Sequence, residues 1–178
     1  MTRRALSLFV LGGTFVGLIA FAASGAPFVA TPQKVPDELL CLKDITSVQL
    51  FFKPVPAALV DAGLHDADVE NLTRTLVGYE GLEIVEDRHA PSITVSYRVM
   101  KDDAVPHALG FATLIEVKQA VRVVRLGEEE LQLPTATLLA YGLKPDHAVP
   151  KAALVQLEFA LRKLIGFVSL ASGKEIGA

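Results

Sequence analysis

Ser92-Ile93-Thr94-Val95-Ser96-Tyr97-Arg98-Val99-Met100 is the stretch on which the fold turns. In an extended chain Ile93, Val95, Tyr97 and Val99 fall on one side. Thr94, Ser96, Arg98 and Met100 fall on the other. Period-two alternation of this kind predicts a half-buried strand in an antiparallel sheet with one solvated face.

Toward the N-terminus, Leu82 to Glu86 predicts a short strand, and Asp66 to Val77 a helix. Val69, Leu72, Leu76 and Val77 fall on one helical face. Asp66 is the expected N-cap, and Gly78 or Gly81 the left-handed stop. Ser47 to Lys53 alternates again and is rich in β-formers; Pro54 and Pro56 end it, and a loop runs to His65.

Toward the C-terminus, residues 104–110 read as a loop and Phe111 to Leu126 as a long strand, its apolar face interrupted by Gln119. Gly127 to Glu130 is a hairpin turn, and Leu131 to Tyr141 returns. Pro134 lacks an N–H, which places that strand at an edge or kinks it. After a loop from Gly142 to Val149, Pro150 suits the first turn of a final helix. Leu154, Leu157, Leu161, Leu164, Ile165 and Val168 form its core stripe. Val155 and Phe159 lie on a flank, where an apolar surface can dock a partner; Phe51 raises the same question for the first strand. The predicted architecture is a two-layer α+β sandwich of order β-α-β-β-β-β-α, with a mixed sheet and two helices on one face.

The chain has 178 residues, 51% of them hydrophobic. Much of the excess lies near the start. Arg3-Arg4 precedes an uncharged run from Ala5 to Ala23, and Ala22 to Ala26 are all small. This is the layout of an export signal, with residues 1–26 either removed or kept as a membrane anchor. Residues 27–46, with Pro27, Pro32 and Pro36, read as a linker or arm. Residues 47–168 read as the domain and residues 169–178 as a tail. The expected location is periplasmic or secreted, or the inner membrane if the segment stays; membrane contact then runs only through residues 5–26.

Residues 1–26 hold two of the 17 basic residues and no acids, so the remainder carries a formal net charge of −5. A mildly acidic chain with dispersed cations is a poor match for nucleic acid. Cys41 is the single cysteine, so no internal disulfide forms. Leu39-Leu40 before it do not suit lipidation, and it reads as a small apolar residue.

His65, His89, His107 and His147 each have a nearby acid, a combination of metal-ligand types, but none has a recognised ligand spacing. The densest cluster is His65, Asp66, Asp68 and Glu70. There is no Gly-x-Ser-x-Gly elbow and no phosphate-binding glycine loop. Glu128-Glu129-Glu130 reads as a solvated turn. No residue is assigned a catalytic, cofactor-binding or metal role. The expectation is a non-enzymatic envelope protein that binds a protein or envelope component. The alternative is a small-ligand or metal-binding protein using the loops near His65 and His107.

The stretches AGLHDADVENLTRTLVGYEGLEIVED, APSITVSYRV, ATLIEVKQAVRVVR and LPTATLLAYG, followed by an amphipathic helix, resemble a group of bacterial secreted proteins. Gly63-Leu64, Gly81-Leu82, Pro91, and Gln119-Ala120-Val121 with Arg125 carry the resemblance, which covers about residues 47–168. The layout is also similar to envelope-assembly accessory domains. Examples are the amino-terminal domain of the TolB translocation protein and the lipopolysaccharide-transport lipoprotein. That similarity implies a binding module, and it carries over no site residues.

Overall fold

The strand Ser92–Met100 occupies the middle of a five-stranded mixed sheet. The structure is a computed structural model describing residues 37–101, 107–123, 125 and 130–173. The export segment, the first part of the arm, Asp102, Asp103, the turn at 127–129 and residues 174–178 lie outside the described residues.

In chain order the elements are a 3-10 helix (Asp37–Leu42), β1 (Ser47–Phe52), α1 (Ala57–Asp61) and α2 (Asp66–Tyr79). Next come β2 (Glu83–Ile84), β3 (Ser92–Met100), β4 (Ala108–Arg122) and β5 (Glu130–Pro145). A 3-10 turn (Asp146–Ala148) then leads into α3 (Val149–Ala171). The sheet order is β2-β1-β3-β4-β5. β1 runs parallel to both β2 and β3, and β3-β4-β5 is an antiparallel meander. The chain is therefore an α+β sandwich, as expected, with its helices packed on the sheet.

One row of side chains explains the packing. Val99, Tyr97, Val95 and Ile93 on β3 stand opposite Phe111, Thr113, Ile115 and Val117 on β4. Those β4 residues stand opposite Gly142, Ala140, Leu138 and Ala136 on β5. Buried Ala153, Leu157, Ala160, Leu161 and Leu164 of α3 belong to the same core. The small residues Ala136, Ala140 and Gly142 sit at the level where α3 approaches β5.

Several local readings change. A short helix, α1, interrupts the loop after β1, and Leu59 from it is fully buried. Asp66 does not cap α2. Its Oδ1 accepts the Val55 N–H at 2.7 Å, tying the β1–α1 connection to the helix. Asp68 reaches back instead, its Oδ2 accepting the His65 N–H at 3.1 Å. Gly81, not Gly78, takes the positive φ after α2. Of the predicted 82–86 strand, Glu83 and Ile84 are in register with β1, and the Val85 N–H also donates to the Val48 carbonyl at 3.0 Å. β5 runs on through Gly142 to Pro145, because β4 begins three residues earlier than expected and gives it a partner.

The core also extends beyond the predicted 47–168 bounds. Leu42 and Ile45, in the stretch read as an arm, are buried, and so is Ala171 near the end of α3. Gln119, which interrupts an apolar row, donates from Nε2 to the Cys41 carbonyl at 2.7 Å and holds the 3-10 helix against β4. Cys41 Sγ in turn donates to the Thr135 carbonyl at 3.4 Å. Thr94 and Ser96 are buried although they face away from the helices. They are short side chains on the central strand, registered beside Phe51, Glu116 and Leu114.

Burial raises the Tyr97 phenol well above the ordinary tyrosine range, and the neighbouring Thr113 hydroxyl acts in the opposite direction. Neither hydroxyl makes a full hydrogen bond. Removing an unsatisfied buried polar atom removes its desolvation cost. Tyr97→Phe is therefore expected to leave unfolding free energy in urea unchanged or to raise it by about 1 kcal/mol. Leu161→Ala in the same core is expected to lower it by about 2–5 kcal/mol.

Candidate docking surface along strand β5

The hydrogen-bonding direction of each strand follows from two contacts on β1. Gln49 N–H donates to the Pro91 carbonyl at 2.8 Å and Lys53 N–H to the Val95 carbonyl at 3.0 Å. Odd-numbered residues of β3 therefore face β1, and even-numbered ones face β4. Through the registered pairs Thr94–Glu116 and Ile115–Leu138, odd residues of β4 face β5 and even residues of β5 face β4. Thr137, Leu139, Tyr141 and Leu143 thus direct their backbone N–H and C=O groups to the open side of the edge strand.

Two independent details agree with this parity. Gln156 Nε2, from α3, donates to the Tyr141 carbonyl at 2.9 Å, so that carbonyl points outward. Pro134 pairs with Lys118, an even residue of β4, so its missing N–H falls on the open side. The register shifts at Val117/Lys118, and Thr135 occupies the resulting bulge.

The side chains along this edge are apolar on two sides. Leu139, Tyr141 and Leu143 are 62%, 78% and 63% exposed on the face away from the helices. Val155 and Phe159 are 56% and 66% exposed on α3, and Phe167 continues their i,i+4 stripe two turns on. Two shallow grooves run between strand and helix. One, of about 240 Å³, lies between Leu139 and Phe159 and reaches Lys163 and Phe167. The other, of about 470 Å³, lies at the start of α3 beside Lys144, His147, Lys151 and Val155.

The lysines lining these two grooves are their charged side chains, and exposed Asp146, in the turn after β5, lies outside either lining. Lys144, Lys151 and Lys163 make no ion pair among the described residues, although the Lys163 ammonium sits 5.6 Å from the Phe167 ring centre. The α3 acid Glu158 and Glu80 of the α2–β2 turn are held by Arg162, at 3.0 and 3.1 Å. Gln156 Oε1 is shielded from solvent and has no hydrogen-bond partner.

Other concavities carry less chemistry. A cleft of about 170 Å³ between Ile45, Leu82 and Ile165 is bounded by Glu80, already paired, and Asp44, whose N–H donates to Ser172 Oγ. A groove of about 290 Å³ beside β1, between Phe51 and Val85, is crossed by Arg74. Arg74 is tied to Glu70 at 2.8 Å and stacked over Phe52 at 6.0 Å.

The histidines are spread. His65 precedes α2, and His89 Nε2 accepts from Arg88 Nε at 3.3 Å. His107 has a positive φ of 69°, and its carbonyl accepts the Asp146 N–H at 3.1 Å. Gly63, near His65, lies against Pro150. The His65 and His107 loops thus reach the same end of the domain. No three His, Cys, Asp or Glu side chains gather there or elsewhere among the described residues. No described helix is long and apolar enough to cross a membrane.

No known family and no curated protein matches the chain. Among solved structures it is similar to a minor lipoprotein from Acinetobacter baumannii, at 12% identity and a TM-score of 0.43, over 71% of this chain and 92% of that one. A Caulobacter crescentus CB15 protein assigned as a lipoprotein follows, at 10% identity and 0.38, over 78% and 98%. Rare lipoprotein B from Shewanella oneidensis is similar at 14% identity and 0.29, over 70% and 89%. At these values the likeness carries no argument about what this chain does.

Leu139, Tyr141 and Leu143 are absent from the sequence-based candidates, whereas Val155, Phe159 and Phe51 are among them. The available signal was the alternation of small and large residues in Ala136 to Leu143. Apart from Leu138, it points the small residues toward the helix.

Gly142 is the tightest point of this surface. A Cβ there would lie 2.7 Å from Gln156 Nε2 and 3.3 Å from Phe111 Cζ. Gly142→Ala is expected to destabilise the domain by about 1–3 kcal/mol. Adding Gln156→Ala should recover part of that loss, so the two substitutions are non-additive in a double-mutant cycle measured by urea unfolding.

Proposed function

We propose that the chain is a non-enzymatic exported protein of the bacterial envelope, and that it binds a partner protein through the surface formed by β5 and α3. The observation that carries this reading is the joint exposure of Leu139, Tyr141 and Leu143 on the strand with Val155 and Phe159 on the helix. Solvated single apolar residues are ordinary, but contiguous ones around an open strand edge mark interaction sites. The export layout of residues 1–26 supports the location. The acidic balance of the remainder argues against nucleic acid as the partner.

The test is site-specific photocrosslinking in cells, followed by envelope fractionation. Probes at Tyr141 and Phe159 should give the same discrete protein adduct in the envelope fraction. A probe at Asn71, exposed on α2, should give none. Equal labelling at all three positions, or no adduct at either Tyr141 or Phe159, would contradict the reading.

A further inference from the structure

We propose that β5 accepts an added strand: an extended segment of a partner protein, apolar at alternate positions and flanked by acidic residues. This rests on the docking reading above and specifies its chemistry. The backbone carries the first part of the argument. Thr137, Leu139 and Leu143 offer outward N–H and C=O groups, and Tyr141 its N–H, along the edge of a 16-residue strand, the Tyr141 carbonyl being held by Gln156. Protein edges are normally blunted by charge, proline or a bulge. Here the proline and the bulge sit at Pro134–Thr135, and Thr137 to Leu143 contains no charged side chain.

The helix supplies the second part. α3 overhangs this edge, so side chains on one face of an added strand would meet Val155 and Phe159. Those on its other face would extend the row of Leu139, Tyr141 and Leu143. Main-chain bonds then provide affinity and alternate side-chain pockets provide selection. Gln156 already imitates such a neighbour, since its amide N–H satisfies the Tyr141 carbonyl while its Oε1 waits without a donor.

Charge identifies the occupant. Lys144 and Lys151 rim one groove and Lys163 the other, with no carboxylate among the residues lining either. Acidic flanks on the incoming segment complement this rim. A second copy of β5 would set the same lysines against one another.

The experiment uses protein expressed from the full 178-residue sequence and a synthetic peptide of alternating valine and threonine with two aspartates at each end. The same peptide with lysine ends and vesicles of phosphatidylglycerol serve as the other arms. The aspartate peptide should bind about tenfold or more tightly than the lysine peptide in fluorescence anisotropy. It should slow amide exchange at Leu139, Tyr141 and Leu143. Leu139→Pro removes one outward N–H without touching a β4 bond, and should abolish binding at an unchanged melting temperature. If that variant unfolds, Lys151→Glu with Lys163→Glu decides instead, and should reverse the preference toward lysine ends.

Absent or charge-indifferent peptide binding overturns the proposal. So does binding that leaves those three amides exchanging freely, protection by vesicles but not by peptide, or self-association that protects the edge without a ligand. A crosslinked adduct from Tyr141 and Phe159 alongside any of these results leaves the docking reading standing and removes only strand addition. Loss of the adduct itself removes both.

Discussion

The packing of α3 across the meander is the interaction on which the rest of the structure depends. Leu157, Leu161 and Leu164 are essentially solvent-free. They belong to the same cluster as Phe111, Ile115 and Val117, the row that β4 turns toward the helices. Burying side chains of this size contributes about 1.5–3 kcal/mol each. The two amphipathic surfaces are complementary only if both helices lie on the same face. That leaves the opposite face of the sheet without a helical layer among the described residues.

This one-sided covering explains where the exposed apolar groups are. A helix that packs closely over an edge strand needs small residues beneath it. Ala136, Ala140 and Gly142 provide them, with Phe111 and Gln156 closing over Gly142. Leu138 shares that side, and the intervening residues of the strand alternate to the other. Leu139, Tyr141 and Leu143 therefore project outward as a consequence of close packing. The outward backbone groups belong to these same residues, so the apolar row and the hydrogen-bonding edge coincide. Val155 and Phe159 complete the surface from the helix.

Much of this was legible in the residues. Period-two alternation located β3 at its observed ends, Ser92 and Met100. Three- and four-residue spacing located both long helices, and Pro134 marked the edge strand. What escaped was decided by contacts distant in sequence. Asp66 looks like a cap until Val55 is brought beside it. Gln119 looks like a flaw in a strand until the Cys41 carbonyl meets it. The end of β5 looks like a loop, because Gly142 and Pro145 are turn residues unless β4 supplies the ladder. The candidate surface was half visible: the flank of Val155 and Phe159 follows from helical phase, whereas the strand side requires knowing which face α3 covers.

Amide exchange along β5 in the purified chain, measured residue by residue by NMR without any partner, tests the central claim most directly. Leu138, Ala140 and Gly142 are bonded into β4 and should exchange slowly. Leu139, Tyr141 and Leu143 should exchange faster by about two orders of magnitude or more, since their amides have no strand partner. Uniformly slow exchange from Thr137 to Leu143 would contradict an open edge and, with it, the docking surface built on it.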